Sequence, residues 1–155
     1  MNKNVNLSEI YDVMQEMLES GGTVNFNPNG TSMLPTIMNH GDRVVIKKPE
    51  GKLKKYDLPL YRRADGQFVL HRIVRVYDNS YGMCGDNQWR IEKGITDSNI
   101  IGVVTKIIRK GKTIDVEKSK LYKIYVFIWV NMLPFRHLIV SGKNRIKKVF
   151  CLIKK

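Results

Sequence analysis

Cysteine is scarce. Cys84 and Cys151 are the only two in 155 residues, and their separation fits neither a zinc site nor a thioredoxin-type redox pair. A disulfide between them stays open, with free thiols in a reducing compartment the simpler expectation. Histidine, cysteine and aspartate form no cluster at ligand spacing, so neither a metal nor an organic cofactor is expected. Long apolar runs are also missing. The longest uncharged stretch in the apolar region, Ile124–Phe135, has 12 residues, whereas a spanning helix needs roughly 20. No apolar core of a secretory signal follows the polar Met1-Asn2-Lys3-Asn4-Val5-Asn6. The expected location is therefore cytoplasmic, peripheral on the inner face of the cell membrane. Internal repeats and low-complexity tracts are absent as well.

Acidic residues are nearly missing from one region. Residues 1–105 carry 13 Lys/Arg against 12 Asp/Glu, while residues 106–155 carry 14 against 2. The net charge of +13 thus belongs to the last third. Such a segment suits a polyanionic partner, and an anionic membrane surface is expected for residues 118–155, with no nucleic acid.

What is present divides into three parts. Residues 1–22 contain an amphipathic helix over 7–20, with Ile10, Val13, Met14, Met17 and Leu18 on one apolar stripe. Asn6 is its expected cap, and Gly21-Gly22 ends it. Residues 23–117 read as a mainly β domain (α+β overall), compact and partly closed. Its expected strands are Thr23–Phe26, Arg43–Lys47, Leu58–Tyr61, a long Gln67–Tyr77, Tyr81–Cys84, Ile100–Arg109 and Thr113–Val116. Alternation along Gln67–Tyr77 puts Phe68, Leu70, Val74 and Val76 on one face and Val69, His71 and Ile73 on the other. Residues 118–155 are basic, partly apolar and helical. Tyr125 and Trp129 within an apolar run between lysines suit an interfacial helix, and packing against the β domain is the alternative.

The stretch Gly30-Thr31-Ser32-Met33-Leu34-Pro35-Thr36 is the one on which chemistry centres. Gly30 permits positive φ, and Pro35 restrains both itself and Leu34, so the turn can hold Ser32 with its backbone N–H exposed. A serine in such a turn either bonds its own turn or serves as an acyl-transfer nucleophile. Further along lie Gly41-Asp42, His71-Arg72-Ile73-Val74, Gly85-Asp86-Asn87-Gln88 and Ile101-Gly102-Val103-Val104.

In that order and spacing these boxes resemble the signal peptidase I clan, which includes the self-cleaving domain of LexA-like repressors. The resemblance covers roughly residues 25–110. It implies a β-sheet peptidase domain of the signal peptidase/LexA type, a serine endopeptidase cleaving leader or signal-type peptides. Ser32 falls at the nucleophile and His71 at the base, so the chain is similar to the histidine variant of the family. Asp86 is the implied third member, with Glu92 as its alternative. The oxyanion is expected at the Ser32 backbone N–H, with Met33 beside it on the substrate side, since Gly30 has no hydroxyl to offer. Asp42 is expected to hold a turn. Other readings are a non-catalytic domain that docks to membranes or partners, and a LexA-like self-cleaving regulator. For the regulator, the residues ahead of the serine box are too few for a helix-turn-helix.

Overall fold

The computed structural model describes residues 11–39 and 41–136. A short helix, α1 (Tyr11–Glu19), precedes β1 (Thr23–Phe26), β2 (Asp42–Lys47), β3 (Pro59–Arg62) and β4 (Phe68–Leu70). Next come β5 (Arg72–Val76), β6 (Tyr81–Cys84), β7 (Glu92–Ile95), a 3-10 turn at Asp97–Asn99, β8 (Ile100–Arg109) and β9 (Lys112–Asp115). Helix α2 (Lys120–Asn131) follows. The molecule is mainly β, with two antiparallel sheets. The larger runs β1-β2-β8-β3-β4, with β9 also on β8, and the smaller runs β5-β6-β7.

The ten-residue β8 is the spine of the larger sheet. β2 lies along one side, while β3 takes residues 100–103 and β9 takes residues 106–109 on the other. Alternation buries Val44 and Ile46 of β2 beside Val104 and Ile107 of β8. The hairpin into β9 turns at Lys110 and Gly111, both with positive φ, as a two-residue loop requires. Two apolar clusters result. The main one joins Val44, Ile46, Leu60, Leu70 and Ile107 with Met14 and Leu18 of α1 and Tyr122, Val126 and Val130 of α2. The second gathers Leu53, Tyr61, Ile73, Tyr81, Met83 and Ile95.

Several expectations need correction. The long strand over Gln67–Tyr77 is two strands, β4 and β5, which belong to different sheets and are separated by His71 alone. Its two faces separate as expected, Phe68, Leu70 and Val74 into the main cluster and Val69 and Ile73 into the second. Val76, however, is exposed. Strand β7 was not foreseen, because Glu-Lys-Gly-Ile carries no alternating pattern. On α1 only Met14 and Leu18 are buried, with Val13 and Met17 exposed, so the helix rests on a narrow ridge. Ile10 and the Asn6 cap lie outside the described residues. Ser119 caps α2 by accepting the Tyr122 N–H at 3.3 Å. No helix among the described residues is long and apolar enough to cross a membrane.

Candidate active site

The loop between β1 and β2 carries Ser32, and its shape is set by buried anchors on either side of the turn. Met33 and Ile37 sink into the main cluster, the Leu34–Pro35 peptide is cis, and the Ile37 N–H reaches the Met33 carbonyl at 2.9 Å. Gly30 holds a φ of +104°, which side-chain-bearing residues avoid. Asp42 closes the loop, as expected of it. Its carboxylate accepts from the Met38 N–H at 2.8 Å and from Arg109 Nη2 at 2.6 Å, and that guanidinium also donates to the Thr36 carbonyl at 2.8 Å. Burial works against the Asp42 charge, but Arg109 and the Met38 N–H outweigh it and hold the carboxyl below its usual range.

The Gly85-Asp86-Asn87 box clamps this loop from the smaller sheet. The Asn87 N–H donates to the Ser32 carbonyl at 2.7 Å, and its side-chain amide donates to the Thr31 carbonyl at 3.1 Å. Gly85 lies so close that a Cβ there would sit 2.7 Å from the Ser32 carbonyl oxygen. Gly85→Ala is therefore expected to push the serine loop outward and to destabilise the protein by about 1–3 kcal/mol, as overpacking does. Urea denaturation measures the effect, and an unchanged midpoint would refute this account of the glycine. The Ser32 Oγ and the Ser32 and Met33 N–H groups enter no hydrogen bond among the described residues. That arrangement suits a nucleophile and an oxyanion donor better than a serine bonded to its own turn.

His71 reaches the same place from the junction of the two sheets. Both Ser32 and His71 line one cleft of about 250 Å³. The imidazole is 5% exposed, and its Nδ1 lies 3.3 Å from the Tyr61 hydroxyl. Tyr61 donates to Glu92 Oε2 at 2.7 Å, and Arg63 grips both Glu92 oxygens through Nε and Nη2 at 2.6 Å each. The Tyr61 proton is committed to Glu92, so its oxygen accepts from His71 Nδ1–H. That tautomer leaves Nε2 as the unprotonated ring nitrogen. Burial lowers the His71 pKa to about 4 against the opposing pull of the Glu92 charge, so the ring is neutral at physiological pH. The Arg63 hydrogen bonds, opposed by partial burial, hold the Glu92 carboxyl below its usual range. Burial, together with Glu92, raises the Tyr61 phenol and keeps its proton in place.

Asp86 is somewhere else. Its side chain receives Arg72 Nε at 2.9 Å and Arg72 Nη2 at 2.7 Å, together with the Thr36 hydroxyl. Arg72 and Asp86 are both 0% exposed. Both Asp86 oxygens are thus occupied away from His71, and the acid connected to the imidazole is Glu92, through Tyr61. Of the residues singled out beforehand, Ser32, Met33 and His71 share the cleft, Glu92 stands behind His71, and Asp86 buttresses the serine loop. Tyr61 and Arg63 were missed. Residues two apart along an extended strand share a face, but nothing in the sequence says that β7 delivers Glu92 to that face.

Helix α2 supports the box from behind. Trp129 Nε1 donates to the Asp86 carbonyl at 2.9 Å, the Tyr125 hydroxyl lies 2.9 Å from Thr36 Oγ1, and Tyr122 accepts from Arg72 at 3.2 Å. Arg136, 1% exposed, donates to the Gly85 carbonyl at 3.2 Å and stacks over Trp129. Among the described residues no group of three or more His, Cys, Asp or Glu is placed to hold a metal. A larger cavity, about 730 Å³, lies between α2 and the segment 47–57 and contains neither Ser32 nor His71. No protein-family model and no curated protein sequence matches the chain.

Proposed function

We propose that the protein is a serine endopeptidase of the signal peptidase I kind, in its histidine variant, acting on leader or signal-type peptides. The observation that carries this reading is the convergence of Ser32 and His71, 39 positions apart in the chain, on one cleft. The serine is unengaged there and the imidazole is neutral. Ser32 Oγ attacks the scissile carbonyl carbon while His71 Nε2 takes the hydroxyl proton. The carbonyl electrons move onto oxygen, where the Ser32 N–H and its neighbour Met33 N–H are available as donors. Collapse breaks the C–N bond, and His71 returns its proton to the leaving amine. Water, deprotonated by the same nitrogen, then hydrolyses the acyl ester and frees Ser32. Glu92 acts at one remove, through Tyr61, by stabilising the imidazolium as it forms.

The cleft also suits an extended peptide. Among the described residues β4 is the last strand of the larger sheet and pairs only with β3, and Phe68, Val69 and Leu70 all line the cleft. A substrate added along this edge would gain main-chain hydrogen bonds and place alternate side chains towards Met33 and Ile37.

The test uses purified wild type, Ser32→Ala and His71→Ala on one diverse peptide library, with products read by mass spectrometry. Cuts by wild type that fall at least about 10³-fold in both variants are expected. Cuts that persist in Ser32→Ala would overturn the proposal. A specific observation favours a second reading, of a docking module: helix α2 leaves much of its apolar surface uncovered.

A further inference from the structure

Helix α2 has two apolar faces, and the β domain occupies only one. Tyr122, Val126 and Val130 are buried in the main cluster. Leu121, Ile124, Phe127 and Ile128 are exposed to 82%, 57%, 57% and 51%, although the Tyr56 ring lies 6.2 Å from that of Phe127. An ordinary surface helix shows charged residues on its outer side. Here the outer side is aliphatic and aromatic over most of the helix.

Charge surrounds this patch. Ile124 and Phe127 form one wall of the 730 Å³ cavity, whose lining also includes Lys52, Lys54, Lys55 and Lys123. Lys47, at the same cavity, is already paired with Glu50 and Glu117, whereas those four lysines form no ion pair among the described residues. Beyond Arg136 the sequence adds Lys143, Arg145, Lys147, Lys148, Lys154 and Lys155 and not one Asp or Glu. A second copy of the chain would bring like charges together around the patch, and a nucleic acid would leave the aliphatic residues in water. An anionic bilayer satisfies both parts at once, taking the apolar side chains below its headgroups and the lysines among them.

We infer that the outer face of α2 docks the protein on an anionic lipid bilayer, with Leu121, Ile124, Phe127 and Ile128 inserted and the lysines of the adjoining cavity at the headgroups. The 12-residue helix is roughly 18 Å long. It lies in the interface plane and does not cross it. The docking does not depend on peptidase activity and is measured without it.

Flotation of the full chain with vesicles of phosphatidylcholine, alone or mixed with phosphatidylglycerol, tests the inference. Binding to the mixed vesicles is expected, weakened but not abolished by raised salt, because only the lysine contribution is screened. The double variant Ile124→Glu, Ile128→Glu is expected to bind at least about tenfold more weakly while keeping its thermal midpoint, since both side chains are already exposed. If that variant fails to fold, the pair Lys54→Glu, Lys55→Glu serves instead, with the loss confined to phosphatidylglycerol vesicles. Absence of vesicle binding, or undiminished binding by the variants, would overturn the inference. So would a dimer that the Ile124 and Ile128 changes dissolve, or retention on nucleic acid without vesicle binding.

Discussion

Asp86→Ala is expected to lower stability by about 3–5 kcal/mol in urea denaturation, enough to unfold most small domains outright. The change strands the Arg72 guanidinium, which is 0% exposed and relies on Asp86 for its charge partner. It also removes the acceptor of the Thr36 hydroxyl and so loosens the serine loop. Replacing both members, as in Arg72→Met with Asp86→Leu, should recover much of the loss, because an apolar pair leaves no buried charge behind. Glu92→Ala behaves differently. Glu92 is only partly buried, and its loss frees Arg63 towards solvent, so the expected effect falls on cleavage more than on folding. The two single variants therefore decide which acid serves the imidazole. An Asp86→Ala protein that folds normally and loses only activity would restore Asp86 as the third member.

The second large effect is in the pH profile. A base with its pKa at about 4, as burial imposes on His71, is still about 90% unprotonated at pH 5. An ordinary histidine near 6.5 would be only about 3% unprotonated there. Cleavage at pH 5 is thus expected to be about thirtyfold faster, relative to its plateau, than an unperturbed histidine allows. The same burial bears on stability. Between pH 6.5 and 4 the unfolded chain binds a proton that the folded one refuses, so stability is complete above 6.5 and falls as the pH drops through that window. The loss attributable to His71 is on the order of 3 kcal/mol, and it should vanish from the difference between wild type and His71→Gln. An acid limb of cleavage centred near 6.5 would mean that the ring is far wetter than the structure places it.

Much of the fold was legible because short apolar or alternating runs bounded by polar and glycine residues mark strands. Thr23–Phe26, Tyr81–Cys84 and Ile100–Arg109 were delimited to the residue. The break at His71 was not, since alternation continues smoothly through Leu-His-Arg and no glycine or proline marks a change of sheet. Strand β7 was hidden for the opposite reason, because Glu92–Ile95 is held by pairing with β6 and not by any apolar pattern of its own. At the candidate site, Ser32 and His71 were singled out from their boxes, and both line the same cleft. The roles of Asp86 and Glu92 depended on which arginine each meets: Arg72 meets Asp86 within the smaller sheet, and the packing of one sheet on the other brings Arg63 to Glu92. The double character of α2 was half legible. Its apolar run pointed first to an interfacial helix with core packing as the alternative, and the structure uses one stripe for the core.

His71 is a joint between two hydrogen-bonded lattices, since Leu70 ends a strand of one sheet and Arg72 begins a strand of the other. Ser32 and Tyr61 ride on the larger sheet, and Glu92 rides on the smaller. The alignment of Ser32, His71 and Glu92 is therefore a matter of how one sheet leans on the other, not of the rigidity of either. The ties across the joint, Asn87 to Ser32 and Asp86 to Thr36, work as guy-lines that set the tilt. Tolerance to misalignment is small at such a joint, so a repacked side chain deep in either cluster can detune the cleft while leaving both sheets whole.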